Sequence, residues 1–478
     1  MPERPPPVPD LDWPAERARA LAEGAVDLWQ ELLAGLRDRP VTRRWREEEV
    51  REAVQLEVPD TPLGDEALLE HLRTLLLDQS VYIGHPGFMA YVCGAGTVPA
   101  PVADLLAAGV NQNVGGWRIS PGATEVELQC TRWLAAQLGL PATAGGHFVT
   151  GGAMANLIGL KAARDRALPH AVERGVDRPL AIYASEEAHA VIARAADLLG
   201  LGRAAVRVVP VDADLRMRPD ALAAMLDADD AQPMAVVGTA GTTTTGAIDP
   251  LPALADLAAA HGAWFHVDAA YGGAAVLSDE LRPLLAGIER ADSLAIDPHK
   301  WLYVSTPCGC VLLADHGNLG PSFAATASYV WQAEEARQGL DIAQTGPDFS
   351  RGFLALKVWV SLLAHGRVAY GRRIAHDVAL ARYLGELVEA RPDFELLCPP
   401  SLSICCFRHV RDGLSDAELD VLNERLMTAV QADGRVYCSN AVVHGRFGLR
   451  ACIVNFRTEA EELELLLDVA AEHAARLT

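Results

Sequence analysis

The period of the apolar positions changes twice along the chain. Residues 12–80 are rich in Ala, Leu, Glu and Arg at helical spacing, with Trp29, Leu32, Leu33 and Leu36 on one face. Such a helical arm cannot bury that face alone, so it is expected to pack on another domain or subunit. From about residue 86, short apolar runs alternate with longer helical ones. AGGHFVTGG reads as a strand ending in glycines, followed by the helix AMANLIGLKAARDRA. LAIYAS, AAVRVVPVD, MAVVGTAGTTTTG and AWFHVDAA read as further strands, with HAVIARAADLLG, MRPDALAAMLD and PLPALADLAAAHG as the helices between them. This alternation predicts an α/β fold, a mainly parallel central sheet with flanking crossover helices. Ligands of such sheets bind at the carboxyl ends of the strands, so functional residues are expected just after each strand. Beyond about residue 346 come a long helical stretch and then the short strands FELLCP, SICCFRHV, RVYCSNAVVHG and FGLRACIVN. They predict a small C-terminal α+β domain. The expected organisation is an N-terminal helical arm over 1–85, a large domain over 86–345 and a small domain over 346–478.

Composition narrows the classes of function. Half of the 478 residues are hydrophobic, ample for a large core, and the formal charge is −22. That charge argues against nucleic acid or an anionic membrane as partner. No stretch approaches the roughly 18 uninterrupted apolar residues of a membrane span. The first residues, MPERPPPVPD, lack the apolar core of a secretory signal. The nine cysteines show no metal-ligand spacing. They read as reduced thiols of a cytoplasmic protein, with no metal site.

Chemistry concentrates in four segments, each expected at a strand end: TGGAMAN (150–156), SEEAHA (185–190), HVDAAYGG (266–273) and DPHKWL (297–302). Asp268 closes the apolar run AWFHV, and a carboxylate there needs a partner; a protonated pyridine nitrogen is one. Lys300 lies between His299 and Trp301, and a desolvated lysine can bond an aldehyde as a Schiff base. A Schiff-base lysine together with an acidic partner for a pyridinium is the signature of pyridoxal 5'-phosphate (PLP) binding. The Gly151-Gly152 turn opens a helix whose free N–H groups suit a phosphate, although glycine turns of this kind are also purely structural. His189 and the Thr-rich tract 241–246 read either as turn and packing residues or as groups around the cofactor ring.

These segments, in this order, resemble the group II PLP-dependent decarboxylases, which include the aromatic-amino-acid, glutamate and histidine decarboxylases. The resemblance rests on HPGFMAY, SPGATEVE, AHAVIARAADLLGL, GTTTTGAID, HVDAAYGG and DPHKWL. It implies the type I PLP-dependent transferase fold and a homodimer with its active site at the interface. It implies PLP-dependent decarboxylation of an L-amino acid to the amine and carbon dioxide. Lys300 would carry the cofactor, Asp268 would pair with the ring nitrogen, and His189 would stack on the ring. Thr243 and Ala270 would lie near the cofactor, and Gly152, Ala153 and His299 would contact its phosphate. Arg351 matches a family arginine expected to anchor the substrate carboxylate; its alternative reading is a helix-start surface charge. Tyr329 matches a loop tyrosine expected to return a proton, and favours simple decarboxylation over an aldehyde synthase. Phe88, Tyr91 and Trp117 favour an aromatic substrate if they line the pocket rather than pack in the core. Acidic substrates such as glutamate or aspartate, and an aminotransferase reaction, are the alternatives. Three positions depart from the family pattern: Ala153 stands where Ser or Thr is usual, Asp297 where Asn is common, and Gly94 where the aromatic branch has a polar residue.

Overall fold

The computed structural model describes residues 4–5, 11–325 and 339–477. Among the described residues, twelve strands run in chain order: β1 (Phe88–Met89), β2 (Gly145–Val149), β3 (Leu180–Ser185), β4 (Val206–Val209), β5 (Gln232–Thr239), β6 (Trp264–Asp268), β7 (Ser293–Ile296), β8 (Gly309–Leu313), β9 (Phe394–Leu396), β10 (Ile404–His409), β11 (Tyr437–Val443) and β12 (Arg446–Cys452). β2 to β8 form a seven-stranded sheet in the order β2-β8-β7-β6-β5-β3-β4. Strands β3 to β7 pair in parallel, joined by helices, as the alternating pattern predicts. Strands β2, β3, β6, β7 and β8 are buried at every residue, which is why they read as continuous apolar runs rather than alternating ones. Apolar cores lie on both faces of the sheet. The helix Gly152–Ala167 covers β6, β7 and β8 and places its N-terminus at the strand ends.

β8 runs antiparallel to both β2 and β7. Nothing in the helical pattern marks it. The chain reverses over residues 297–308 without a full crossover helix, and so short a return fits only an antiparallel neighbour.

The second sheet has five strands, β1-β11-β12-β10-β9. The C-terminal strands fall where the sequence places them, but β1 is a correction to the expected boundary at residue 86. Phe88 and Met89 pair in parallel with Tyr437 and Cys438, so the small sheet recruits a strand from far upstream. The helix Ala355–Glu389 bridges the two bodies, packing on the helix Pro99–Val110 and on β9 and β10, and it bends at Gly366 where φ is +74°.

The arm forms the helices Ala15–Gly35, Glu47–Val54 and Asp65–Arg73, none of which buries a residue fully. Trp29, Leu32, Leu33 and Leu36 face Leu72, Leu76 and Tyr82 across a shared apolar pocket. The arm therefore covers part of its own apolar face. Among the described residues, no helix is long and apolar enough to cross a membrane.

Candidate active site

Parallel strands deliver their carboxyl ends to one edge of the sheet. β6 ends there at Asp268, β5 ends at Thr239 before the Thr-rich tract, and β3 ends at Ser185 before His189. β7 ends at Ile296 and passes through Asp297 into the short helix Pro298–Trp301, which carries Lys300. β2 lies in the same direction as β7 because both oppose β8, and it delivers the Gly151-Gly152 turn to the same edge.

Lys300 Nζ lies 3.0 Å from Asp297 Oδ2. Asp297 is only 3 % exposed, and its other oxygen, Oδ1, is buried without a hydrogen-bond partner. The substitution of Asp for Asn thus gives the lysine ammonium a counter-ion. Above this pair sits the glycine turn. A Cβ at Gly152 would come 2.8 Å from Asp297 Oδ2 and 3.2 Å from the Ala270 methyl, so the backbone reaches this position only as glycine. The N–H groups of Met154 and Ala155 both return to Gly151 O. Those of Gly152 and Ala153, in the helix's first turn, have no acceptor within the helix and are free to bind an anion. The His299 ring packs beside Gly151, with Nδ1 held 2.7 Å from Cys308 O and Nε2 toward Asp297.

Asp268 is 8 % exposed and fixed at both oxygens: Ala270 N–H donates to Oδ1 at 3.1 Å, and the Asn156 amide donates to Oδ2 at 3.2 Å. A lysine amine, an anion-binding helix start and an oriented carboxylate at one sheet edge match the three functional ends of PLP: aldehyde, phosphate and pyridine nitrogen. The residues fit the cofactor.

His189 is exposed, and its Nδ1 accepts the Val191 N–H at 3.2 Å, which fixes the imidazole at the start of the helix Val191–Leu198. Thr242 and Thr245 bond each other and close the turn, whereas Thr243 is exposed. Tyr329 lies outside the described residues.

Two expected substrate contacts are corrected. Phe88 is 4 % exposed, stacks on Tyr437 at 5.5 Å between centroids and packs with Val41 and Ala90, so it belongs to the core of the small sheet. Arg351 is neither a surface charge nor a free anchor. Its guanidinium pairs with Glu127 at 2.6 Å and donates to the backbone oxygens of Phe148 and Val114, and the Glu127 side chain is 0 % exposed. A buried carboxylate must be paired, and Arg351 is what pairs it. Trp117 packs beside Gly339 and Asp341, with its indole N–H on Glu125.

The cation that sequence reasoning missed is Arg450, on β12. It is 3 % exposed, donates to the backbone oxygens of Thr244 and Tyr91, and leaves Nη2 buried without a partner. Among the described residues no carboxylate pairs with it. Its charge and that of Lys300 both act on the Cys93 thiol, which burial pushes up and the two cations pull down. The available signal was a lone arginine inside the apolar strand FGLRACIVN. Tyr91, whose carbonyl Arg450 holds, is 55 % exposed and sits at φ +57°, an unfavourable conformation for a bulky residue.

Residues 48–410 match the family model described as the pyridoxal-dependent decarboxylase conserved domain. The chain is 32% identical over 468 residues to the aromatic-L-amino-acid decarboxylase of Bacillus atrophaeus, covering 97% of this chain and 96% of that protein. It is 35% identical over 378 residues to the cysteine sulfinic acid decarboxylase of Mus musculus, covering 77% and 76%. The crystal structure of Oryza sativa TDC with PLP and tryptamine superposes with a TM-score of 0.91 at 29% identity, covering 97% of this chain and 99% of that one. The fold is accordingly that of the type I PLP enzymes, the cofactor is PLP, and the chain is a carboxy-lyase acting on an amino acid. By sequence along most of its length, and by the fold that brings these strand ends together, this chain belongs to the pyridoxal-dependent decarboxylase family.

Proposed function

We propose that the chain decarboxylates an L-aromatic amino acid to its amine, using Lys300, Asp268, His189 and the glycine turn on the cofactor and Arg450 on the substrate carboxylate. The observation that carries the substrate side is the pairing of Arg450, a buried cation with a free Nη2, with the exposed and strained Tyr91 that it holds. A guanidinium suits a carboxylate, and an exposed aromatic residue whose backbone it holds suits an apolar side chain.

PLP, when bound, supplies an electron sink for the bond that breaks. The protein does the rest. Asp297 Oδ2, at 3.0 Å, is placed to take the proton that Lys300 Nζ must shed before it can bond a carbonyl carbon. Asp268 holds a proton at the ring nitrogen. The N–H groups of Gly152 and Ala153, with His299, would hold the phosphate, Ala270 and Thr243 would border the ring, and His189 would stack on it. Arg450 fixes which substituent of the substrate α-carbon stands in position to leave. Tyr329 is the proton donor that the family resemblance assigns, and it is the reason to expect amine rather than aldehyde as product.

The alternative is an acidic substrate. The same free Arg450 Nη2 favours it, as does similarity to the mouse cysteine sulfinic acid decarboxylase. Purified, PLP-loaded protein incubated with a panel of amino acids decides between them, with products read by mass spectrometry. The expected result is an aromatic amine and carbon dioxide, with no ammonia, peroxide or keto acid; turnover of acidic amino acids alone would overturn the substrate assignment. Lys300→Ala abolishes turnover and the visible absorption of the lysine-bound cofactor.

We further propose a cytoplasmic homodimer with its active site at the interface. All nine cysteines are free, as a reducing compartment requires. The helix Pro99–Val110, beside the bridging helix, exposes Val102, Leu105, Leu106 and Val110, and the arm exposes Val26 and Leu75. Light scattering on the eluting peak is expected to give twice the chain mass; a monomer at micromolar concentration with full activity would exclude the dimer.

A further inference from the structure

The carboxylate of Asp268 is the end of a longer chain of buried polar groups. Trp264, His266 and Asp268 alternate along β6, so their side chains share one face of the sheet, the face covered by the helix Gly152–Ala167. Trp264 Nε1 lies 2.7 Å from Ser293 Oγ, which lies 2.7 Å from His266 Nδ1. His266 Nε2 lies 2.7 Å from Asn156 Oδ1. Asn156 Nδ2 lies 3.2 Å from Asp268 Oδ2 and 2.8 Å from Gly152 O. Trp264 is 2 % exposed, Asn156 is 1 % exposed, and His266 and Ser293 are 0 % exposed.

The direction of every bond in this chain is determined. Gly152 O and a carboxylate oxygen can only accept, so the Asn156 nitrogen faces them and its oxygen faces His266. His266 must then carry its proton on Nε2. Its Nδ1 is left as an acceptor, so the single hydroxyl proton of Ser293 goes there, and the Ser293 lone pair receives the indole N–H. Reversing any member would set two acceptors or two donors against each other. The imidazole is also neutral: burial pushes its pKa down to about 4, with Asp268 the charged group opposing that shift. A cationic ring here would compete with a pyridinium for Asp268. The helix is shaped for the ring, since a Cβ at Gly159 would come 2.7 Å from His266 Cε1 and 3.0 Å from Ser293 Oγ.

We propose that Trp264, Ser293, His266 and Asn156 form a one-directional hydrogen-bond relay that holds Asp268 oriented toward the cofactor's ring nitrogen. Asn156 and His266 are thereby positioning residues for the decarboxylation. Donors aimed at a carboxylate favour its charged form, and neutral donors do so without adding a competing charge. The relay rests on the reading of Asp268 as the partner of the pyridine nitrogen, and its test separates the two.

The holoenzyme is loaded with PLP labelled with nitrogen-15 in the ring, and two quantities are read for each variant: the ring-nitrogen chemical shift, which reports its protonation, and the cofactor dissociation constant. Wild type is expected to show a protonated nitrogen, and Asp268→Asn an unprotonated one. His266→Phe and Asn156→Leu are expected to move the shift toward the unprotonated value and weaken cofactor binding by roughly tenfold, as loss of outer partners does for other fixed ligands. His266→Gln, whose amide can still donate to Asn156 and accept from Ser293, restores both readouts. If Asp268→Asn leaves the nitrogen protonated, the reading of Asp268 fails. If Asp268→Asn deprotonates it while His266→Phe and Asn156→Leu match wild type in both readouts, the relay alone fails. Should those variants not fold, histidine-labelled wild type still decides: a single Nε2–H tautomer at His266 is expected, and an Nδ1–H tautomer or an imidazolium at neutral pH overturns the relay.

Discussion

Two arginines show how little a residue's place in a motif says about its use. Arg351 stands in a matching segment, yet its guanidinium neutralises Glu127 in the core. Arg450 lies outside the matching segments, yet it is buried with Nη2 left without a partner. Their substitutions should therefore differ in kind. Arg351→Met strands the buried Glu127 carboxylate and is expected to destabilise the fold by about 3–5 kcal/mol, read as a lower Tm, with KM little changed in whatever protein folds. Arg450→Met is expected to raise KM at least tenfold and to leave cofactor absorption in place. The opposite pattern, a KM effect at Arg351 and only a Tm effect at Arg450, would reverse the two assignments. The positions of Asp268, at the end of β6, and of Lys300, in the turn that follows β7, were legible because each is a charged residue that follows an apolar run. Phe88 misled because an aromatic in a matching segment reads the same whether it faces a pocket or the core.

Elements bring these residues within reach of one another, and glycines set how closely elements approach. A Cβ on Gly94 would collide with the backbone oxygens of Lys300 and His299. That contact is backbone, which cannot swing aside as a side chain can. The departure from the family pattern at this position is thus a close fit of the 92–96 segment onto the lysine turn. Gly94→Ala is expected to push that turn away, lowering stability by about 1–3 kcal/mol and cofactor occupancy at limiting PLP; an unchanged occupancy curve would show that the turn tolerates the displacement. Strand and helix order in the large sheet was readable because hydrophobic period is a local property. β8 was not, since antiparallel insertion leaves no helix to mark it, and β1 was not, since its partner β11 lies over three hundred residues downstream.

At the scale of the whole molecule, buried titratable groups couple stability to pH. His266 ionises near 6.5 when unfolded and is pushed down to about 4 in the fold. As pH falls from 6.5 toward 4, the unfolded chain takes a proton that the native chain does not, so this group's contribution to stability is present above 6.5 and lost below it, by about 3 kcal/mol in all. Burial acts oppositely on Asp249 and Asp377, both raised to about 6. They bind protons in the native state first, which strengthens the fold as pH falls through 6. The net slope mixes the two, and comparison with His266→Gln isolates the histidine. Between pH 7 and 4.5 the wild-type Tm is expected to fall more than the variant's; parallel curves would mean that His266 is not held neutral.

The alternation of parallel strands and helices, the cofactor's chemistry and the placement of Asp268, Lys300 and the glycine turn just after strands could be read from the chain, because each depends on residues adjacent in sequence. Which arginine is spent, which aromatic is exposed and what holds Asp268 could not. Arg351 meets Glu127 across 224 positions, and Asn156 meets Asp268 across 112. The choice of partner there is made by burial, which removes water as the alternative and leaves each polar group to whatever the fold has brought beside it.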